Sequence, residues 1–120
     1  MTHQLKASAA TIQLKVQDFA TATAWYERLI GRPADLAPND SIHEWEVFPG
    51  GWIQVTAGSR VEDPGRVRFG VADVERERSR AVDELGIEVS EVTVVPGLVA
   101  YCNVDDPWGN RLGLFQDLAT

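Results

Sequence analysis

Three polar side chains, His43, Glu44 and Glu46, are of the types that transfer protons in enzymes. Glu44 and Glu46 are two residues apart on a predicted strand, so they share one face and could act as acid and base. His43 points to the other face, and the sequence shows no partner for it. An ordinary polar strand surface explains the same residues, so both interpretations stay open.

A second group of residues combines positive charge with aromatic rings. Apolar residues alternate along 12–16 and 67–71 and are predicted to face a helix, which leaves the intervening residues on the opposite face. With the strands near 54 and 113, that face should carry Thr11, Gln13, Lys15, Trp52, Gln54, Thr56, Arg66, Arg68, Arg111, Gly113 and Phe115, together with Trp45 or Tyr101.

Such a face is typical of a pocket for an anionic, partly aromatic small molecule. Arginine binds carboxylate or phosphate through two parallel hydrogen bonds and also stacks on rings. Aromatic walls with a few polar groups are the usual composition of ligand sites. Alternatively, the cations extend into water or pair with Glu44 and Glu46. Gly113, in the middle of its strand, would widen the site and let a flat ligand approach the backbone.

Composition limits the classes of protein to be considered. The chain has 120 residues and a net charge of −7, without a dense basic cluster, so a nucleic-acid partner is not expected. No apolar run reaches the roughly 20 residues that cross a membrane, and no signal peptide is visible, so a cytoplasmic protein is expected. Residues 1–10 are predicted to be a loose tail. The single Cys102, in an apolar strand, is predicted to be a buried, unreactive thiol.

The chain contains two segments with the same layout, residues 12–31 and 67–86. Each begins with an alternating strand and continues into a helix with an apolar stripe. Asp18 and Asp73 are placed as helix N-caps. Each helix is then predicted to end at a glycine, Gly31 or Gly86.

Short strands follow each helix, bounded by Pro-Gly turn signals. They are predicted at 33–37, 42–48 and 51–57 in the first half, and at 88–95, 98–104 and 110–116 in the second. The order is therefore βαβββ twice. One such unit cannot bury its own sheet face, so the halves must share a core or exchange partners with another chain.

Four segments carry a resemblance to a known family. They are LKVQD, followed by WYERLIG on a helix, then VRFGVADVE and DPWGNRLGLF, in that order and at matching spacing over about residues 9–117. Together they resemble the vicinal oxygen chelate superfamily, which includes glyoxalase I, bleomycin-resistance proteins and extradiol dioxygenases. The resemblance implies an α+β fold of two βαβββ modules whose curled sheets form a cup, with helices outside.

The same resemblance implies how the chain is organised. Residues 1–120 are expected to form a single domain, with module one at 9–57, a linker at 58–65 and module two at 66–117. Members usually pair as dimers and hold their ligand in the cup, so a homodimer is expected. The sequence leaves open whether the cup lies within one chain or across two.

Metal-dependent members place four ligands, usually His, Gln or Glu, on the first and last strand of each module. The matching positions here are Thr11, Gln54, Arg66 and Gly113. Only Gln54 offers a neutral oxygen, and Arg66 would bring a positive charge against the cation. Catalytic metals need about three or more His, Asp, Glu or Cys ligands. No metal and no other cofactor is therefore expected.

These observations favour a metal-independent binding protein, similar to the bleomycin-resistance branch, that holds a partly aromatic, anionic ligand without transforming it. The alternative is a metal-independent lyase or isomerase that uses His43, Glu44 or Glu46 for proton transfer. A third possibility is a degenerate member that serves as a subunit or regulator. The catalytic hypothesis requires a carboxylate or His43 to point into the cup, whereas the binding hypothesis does not.

Overall fold

The computed structural model of the chain describes residues 6–86 and 88–119. The elements, in chain order, are β1 (Ala10–Val16), α1 (Phe19–Ile30), β2 (Leu36–Asn39), β3 (Ile42–Phe48), β4 (Gly51–Ala57), β5 (Arg66–Gly70), α2 (Val74–Leu85), β6 (Thr93–Val95), β7 (Val99–Asn103) and β8 (Arg111–Asp117). The predicted order, βαβββ twice, is confirmed. Neither helix in the described part is long and apolar enough to cross a membrane. Of the predicted loose tail, residues 1–5 lie outside the description.

The two halves have the same sheet topology. Each forms a four-stranded sheet, in the orders β1-β4-β3-β2 and β5-β8-β7-β6. The first strand of each half pairs in parallel with the last, and the remaining pairs are antiparallel. The chain divides into two compact units between Ser59 and Arg60, inside the predicted linker. That residues 1–120 act as one domain stays a prediction.

The strand after each helix is shorter than predicted. β2 begins at Leu36 rather than at residue 33, and β6 begins at Thr93 rather than at 88. In the second unit, Arg78 of α2 binds the carbonyl oxygens of Val89 and Ser90, at 3.2 and 2.7 Å. These carbonyls are satisfied by a side chain, so this part of the segment does not need a neighbouring strand.

The core of the first unit lies between its sheet and α1. Leu14 and Val16 of β1 are buried, as are Ile53 and Val55 of β4, whereas Ile12 is 38% exposed. From the helix, Ala22, Trp25 and Tyr26 are buried against them. The predicted helix-facing side of β1 is therefore confirmed at its last two apolar positions.

Trp45 belongs to this core and not to the opposite face. It is opposite Ile53 in the register of β3 with β4 and is 1% exposed. Its indole Nε1–H donates a 2.9 Å hydrogen bond to the carbonyl of Arg32, which satisfies its one polar group. Of the two aromatic residues proposed for the open side, Trp45 is therefore excluded.

The second unit repeats this arrangement. Leu112 and Leu114 of β8 point toward α2 and are 0% and 7% exposed. The neighbouring Gln116 accepts a 3.0 Å hydrogen bond from the backbone N–H of Val74, at the start of the helix. Cys102 of β7 is buried as predicted, and this burial raises the pKa of its thiol.

The helix ends follow the sequence pattern at three of four positions. Gly31 and Gly86 adopt the left-handed conformation, with φ of 100° and 61°. Asp73 caps α2, because its carboxylate accepts the backbone N–H of Arg76 at 3.1 Å. Asp18 occupies the equivalent place before α1, but its φ is 52° and its side chain makes no capping hydrogen bond. The predicted capping by Asp18 is therefore wrong.

Substituting the two aspartates, Asp73 by alanine and Asp18 by glycine, should separate their roles. Asp73→Ala should lower the free energy of unfolding by about 1 kcal/mol, because a backbone N–H of α2 loses its acceptor. Asp18→Gly should maintain or raise stability, since glycine adopts a left-handed backbone without steric cost. Urea denaturation followed by circular dichroism measures both. Equal destabilisation by the two variants would contradict these assignments.

Candidate functional site

Each sheet has a face that points away from its helix, and the predicted site residues lie on these faces. The first open face comprises the outward residues of β1, β4 and β3, and the second those of β5, β8 and β7. The register places Thr11, Gln13, Lys15, Trp52, Gln54 and Thr56 on the first, and Arg66, Arg68, Arg111, Gly113, Phe115 and Tyr101 on the second. Their orientation agrees with the expected alternation, and their role in ligand binding stays a prediction.

A chain of side-chain hydrogen bonds crosses the first open face. Gln13, Gln54 and Glu44 are in one row across β1, β4 and β3. Gln13 Nε2 donates to Gln54 Oε1 at 2.7 Å, and Gln54 Nε2 donates to Glu44 Oε1 at 3.3 Å. The Gln54 amide is thus held from both sides. The row ends on a carboxylate that accepts a hydrogen bond.

The three proton-transfer candidates are in different environments. His43 is opposite Val55, on the helix side, and its ring meets that of Phe19 edge-on with centroids 5.0 Å apart. Glu46 shares a face with Glu44, as predicted, but its Oε2 accepts the backbone N–H of Gly50 at 3.1 Å in the turn to β4. Glu44 is half-buried on the first open face. It is the one of the three whose geometry suits proton transfer to a ligand there.

Arg68 occupies the middle of the second open face. Its guanidinium carbon lies 4.6 Å from the ring centroid of Tyr101, within the range of a cation–π contact. Its Nη2 donates to Asn103 Oδ1 at 3.1 Å. Within residues 6–86 and 88–119, Arg68 makes no ion pair. An exposed guanidinium is therefore held in place by two uncharged groups.

Gly113 lies beneath the Arg68 side chain. The register runs Arg68, Gly113, Asn103 across three strands, so the arginine must cross the glycine to reach the asparagine. A Cβ on Gly113 would lie 3.0 Å from Arg68 Cγ and 2.6 Å from the carbonyl oxygen of Cys102. The expectation that this glycine opens the site to a flat ligand is wrong, because the Arg68 side chain fills the space.

An aromatic end adjoins Arg68. Phe115 and Tyr101 are directly opposite each other on β8 and β7, and both are half-buried. The Phe115 ring covers Gly70 on β5, where an added Cβ would come within 2.8 Å of its Cζ. Two rings and one guanidinium are thus combined on the same part of the second open face.

The other two cations of this face have partners with opposite charge. Arg66 forms an ion pair with Asp105 and also donates to the carbonyl of Leu112. Arg111 donates to the carbonyl of Pro64 at 3.2 Å and lies 3.8 Å from a carboxylate oxygen of Asp63. Neither Asp105 nor Asn103 was anticipated as a site residue, although both flank the D-P-W-G-N turn.

A buried carboxylate organises that turn. Asp106 is 6% exposed and accepts the backbone N–H groups of Trp108 and Asn110 at 2.9 and 2.7 Å. The Asn110 side chain donates a further hydrogen bond of 2.7 Å. Gly109, with φ of 93°, allows the chain to reverse between them. The turn thereby fixes the ends of β7 and β8.

The donor chemistry does not fit the metal that the fold family implies. Of the four equivalent positions, Arg66 is a cation engaged by Asp105, and Gly113 has no side chain. The Gln54 amide oxygen accepts a hydrogen bond from Gln13, and Thr11 offers only a neutral hydroxyl. The described residues contain no group of three or more His, Cys, Asp or Glu side chains able to hold a metal ion.

Comparison with known proteins agrees with the architecture. No protein-family model and no curated protein sequence matches the chain. Among solved structures, a glyoxalase/bleomycin resistance protein from Catenulispora acidiphila matches with a TM-score of 0.78 and 21% identity, covering 92% of this chain and 98% of that one.

Two further solved structures carry names of defined activities or phenotypes. A lactoylglutathione lyase from Agrobacterium tumefaciens has a TM-score of 0.74 and 17% identity, over 94% of this chain and 96% of that one. The fosfomycin resistance protein FosX from Listeria monocytogenes has a TM-score of 0.69 and 20% identity, over 95% and 90%. The chain therefore has the glyoxalase/bleomycin-resistance fold that its motifs predicted.

Substituting Gly113 should test the close packing beneath Arg68. Gly113→Ala should lower the free energy of unfolding by about 1–3 kcal/mol, because the added methyl group meets the Cys102 carbonyl and the Arg68 stem. Gly65→Ala is the matched control, since no atom lies within 4 Å of its added Cβ. Chemical denaturation compares the two variants. A Gly113→Ala protein as stable as the control would contradict the described packing.

Proposed function

We propose that this protein is a metal-independent small-molecule-binding protein whose ligand is partly aromatic and anionic. The fold supports a small-molecule role, since two solved structures that share it are named for lactoylglutathione and fosfomycin, both small molecules. The donor set at Thr11, Gln54, Arg66 and Gly113 supports independence from metal. We further propose a cytoplasmic homodimer, in line with the family that the motifs resemble.

One observation carries the proposal: the exposed guanidinium of Arg68 lies over the Tyr101 ring and has no acidic partner in the described chain. A positive charge with uncharged neighbours attracts an anion more strongly than one already neutralised by a carboxylate. The adjoining Phe115 and Tyr101 rings supply apolar surface for the rest of the ligand. Arg68 therefore replaces Arg66 as the principal anion-binding residue.

A second candidate function is supported by Glu44. This carboxylate lies on the first open face and accepts a hydrogen bond from Gln54, an arrangement that could orient a general base. A metal-independent lyase or isomerase would then use Glu44 without His43, whose ring lies on the helix side. Binding is preferred because the second open face offers a charged and aromatic site that needs no catalytic base.

Ligand screening by thermal shift, with metal analysis of the same sample, tests the proposed function. Aromatic anions should raise the melting temperature, because a ligand at a hundredfold excess over its Kd adds about 2.7 kcal/mol of stability. Uncharged analogues of the same shape should have smaller effects, and treatment with a chelator should change nothing. Stabilisation by a divalent metal alone would contradict the proposal and would favour a metalloenzyme instead.

Substituting Arg68 and Arg111 in turn should show which of the two contributes more to ligand affinity. For an aromatic anion that stabilises the protein, Arg68→Ala should weaken binding by about tenfold or more, because a charge-assisted hydrogen bond contributes roughly 1.5–3 kcal/mol. Arg111→Ala should have a smaller effect, since Arg111 already lies near Asp63. Isothermal titration calorimetry measures both affinities. An unchanged affinity in Arg68→Ala would contradict the assignment of Arg68 as the principal anion-binding residue.

A further inference from the structure

The charge and geometry of the proposed anion site at Arg68 indicate more specifically which acidic group its ligand has. We infer that the acidic group of the ligand is a single carboxylate, bound by the Arg68 guanidinium that Asn103 and Gly113 position on the Tyr101 ring. This inference rests on the proposed function and narrows its ligand from anions in general to monoanionic carboxylates. It follows from the count of uncompensated charge and from the geometry of the arginine.

The charge on the second open face matches one negative charge. Arg66 is neutralised by Asp105, and Arg111 is near Asp63, which leaves Arg68 without an acidic neighbour in the described residues. A phosphate monoester carries about −1.5 to −2 charges at neutral pH, so one guanidinium leaves part of that charge uncompensated. The whole chain is at −7, which further disfavours a second negative charge. A carboxylate carries one charge and is fully matched.

The geometry of Arg68 suits a planar oxyanion. One N–H of its Nη2 is used by Asn103, and the guanidinium carbon lies 4.6 Å from the centroid of the Tyr101 ring. The remaining N–H groups have no hydrogen-bond partner in the described chain and lie in the guanidinium plane. Two parallel N–H groups of this kind match the two oxygens of a carboxylate. An aryl group attached to that carboxylate would extend toward surface provided by Phe115.

Asn103 and Gly113 act as positioning residues in this scheme, because neither needs to touch the ligand. Gly113 leaves the passage through which the Arg68 stem crosses β8, and Asn103 fixes the far end of the side chain. A side chain fixed before binding loses less rotational freedom when the ligand arrives. Arg68 should therefore bind anions better than an unrestrained surface arginine.

Three probes of similar shape test the carboxylate inference: benzoate, phenyl phosphate and uncharged benzamide. Each is titrated into the full-length protein at pH 7.5, and backbone amide shifts are followed by NMR. Benzoate should shift the amide signals of Arg68, Tyr101 and Asn103 in a saturable manner and bind at least threefold more tightly than phenyl phosphate. In Arg68→Ala the benzoate affinity should fall by about tenfold, toward that of benzamide.

The outcomes separate this inference from the proposed function. If phenyl phosphate binds more tightly than benzoate and loses its affinity in Arg68→Ala, the carboxylate inference fails and an anion-binding protein remains. If neither anion binds the wild-type protein more tightly than benzamide does, the inference and the Arg68 site of the proposed function both fail. The amide spectrum of each variant shows that the protein is folded, so loss of binding is not loss of structure.

The positioning roles have their own readout. Asn103→Ala should reduce benzoate affinity severalfold while leaving benzamide binding unchanged, and should sharpen the Arg68 side-chain Nε–H signal toward that of a mobile arginine. Arg68→Lys keeps the charge but loses the planar fork, so it should bind benzoate more weakly than wild type. Benzoate affinity that is unaffected by Asn103→Ala would overturn the positioning role.

Discussion

The buried carboxylate of Asp106 is the constraint on which the second unit depends. A carboxylate removed from water is costly unless hydrogen bonds satisfy it, and here Trp108 and Asn110 supply backbone N–H groups while the Asn110 side chain adds another. These bonds form only when the chain reverses at Gly109, so they fix where β8 begins relative to β7. Gly113 and Asn103 each lie three residues from an end of the turn, and their pairing then follows from this single register.

That register determines the core and the open face together. Consecutive residues of β8 point to opposite sides, so Leu112 and Leu114 enter the core only if Gly113 lies on the other side. A shift by one residue would expose both leucines and bury the crossing point of Arg68. The free energy that holds the leucines in the core therefore also holds the guanidinium in place. A polar side chain on a strand is in this way positioned by hydrophobic burial on the reverse face.

The parts of the molecule that the sequence predicts are those with local causes. Strand alternation determined the faces of β1, β4 and β8, and the glycines at 31 and 86 indicated the helix ends, because each depends on the backbone preferences of a few adjacent residues. The failures have non-local causes. Trp45 is held in the core by a carbonyl acceptor at Arg32, and the space above Gly113 is filled by a side chain from another strand. No local pattern contains that information. The partners of Arg66 and Arg111 were missed for the same reason.

The two modules show how one backbone supports different chemistry. Their central rows are equivalent in register: Gln13, Gln54 and Glu44 in the first unit, and Arg68, Gly113 and Asn103 in the second. In the first row every position has a polar side chain, and each one bonds to its neighbour. In the second row one long cation spans the distance, which is possible only because the middle residue has no Cβ. The absence of a donor side chain at Gly113 and the presence of the Arg68 crossing are thus physically linked. A carboxylate at 113 would require Arg68 to leave the row, so a side chain at this position and the Arg68 crossing exclude each other in the second module.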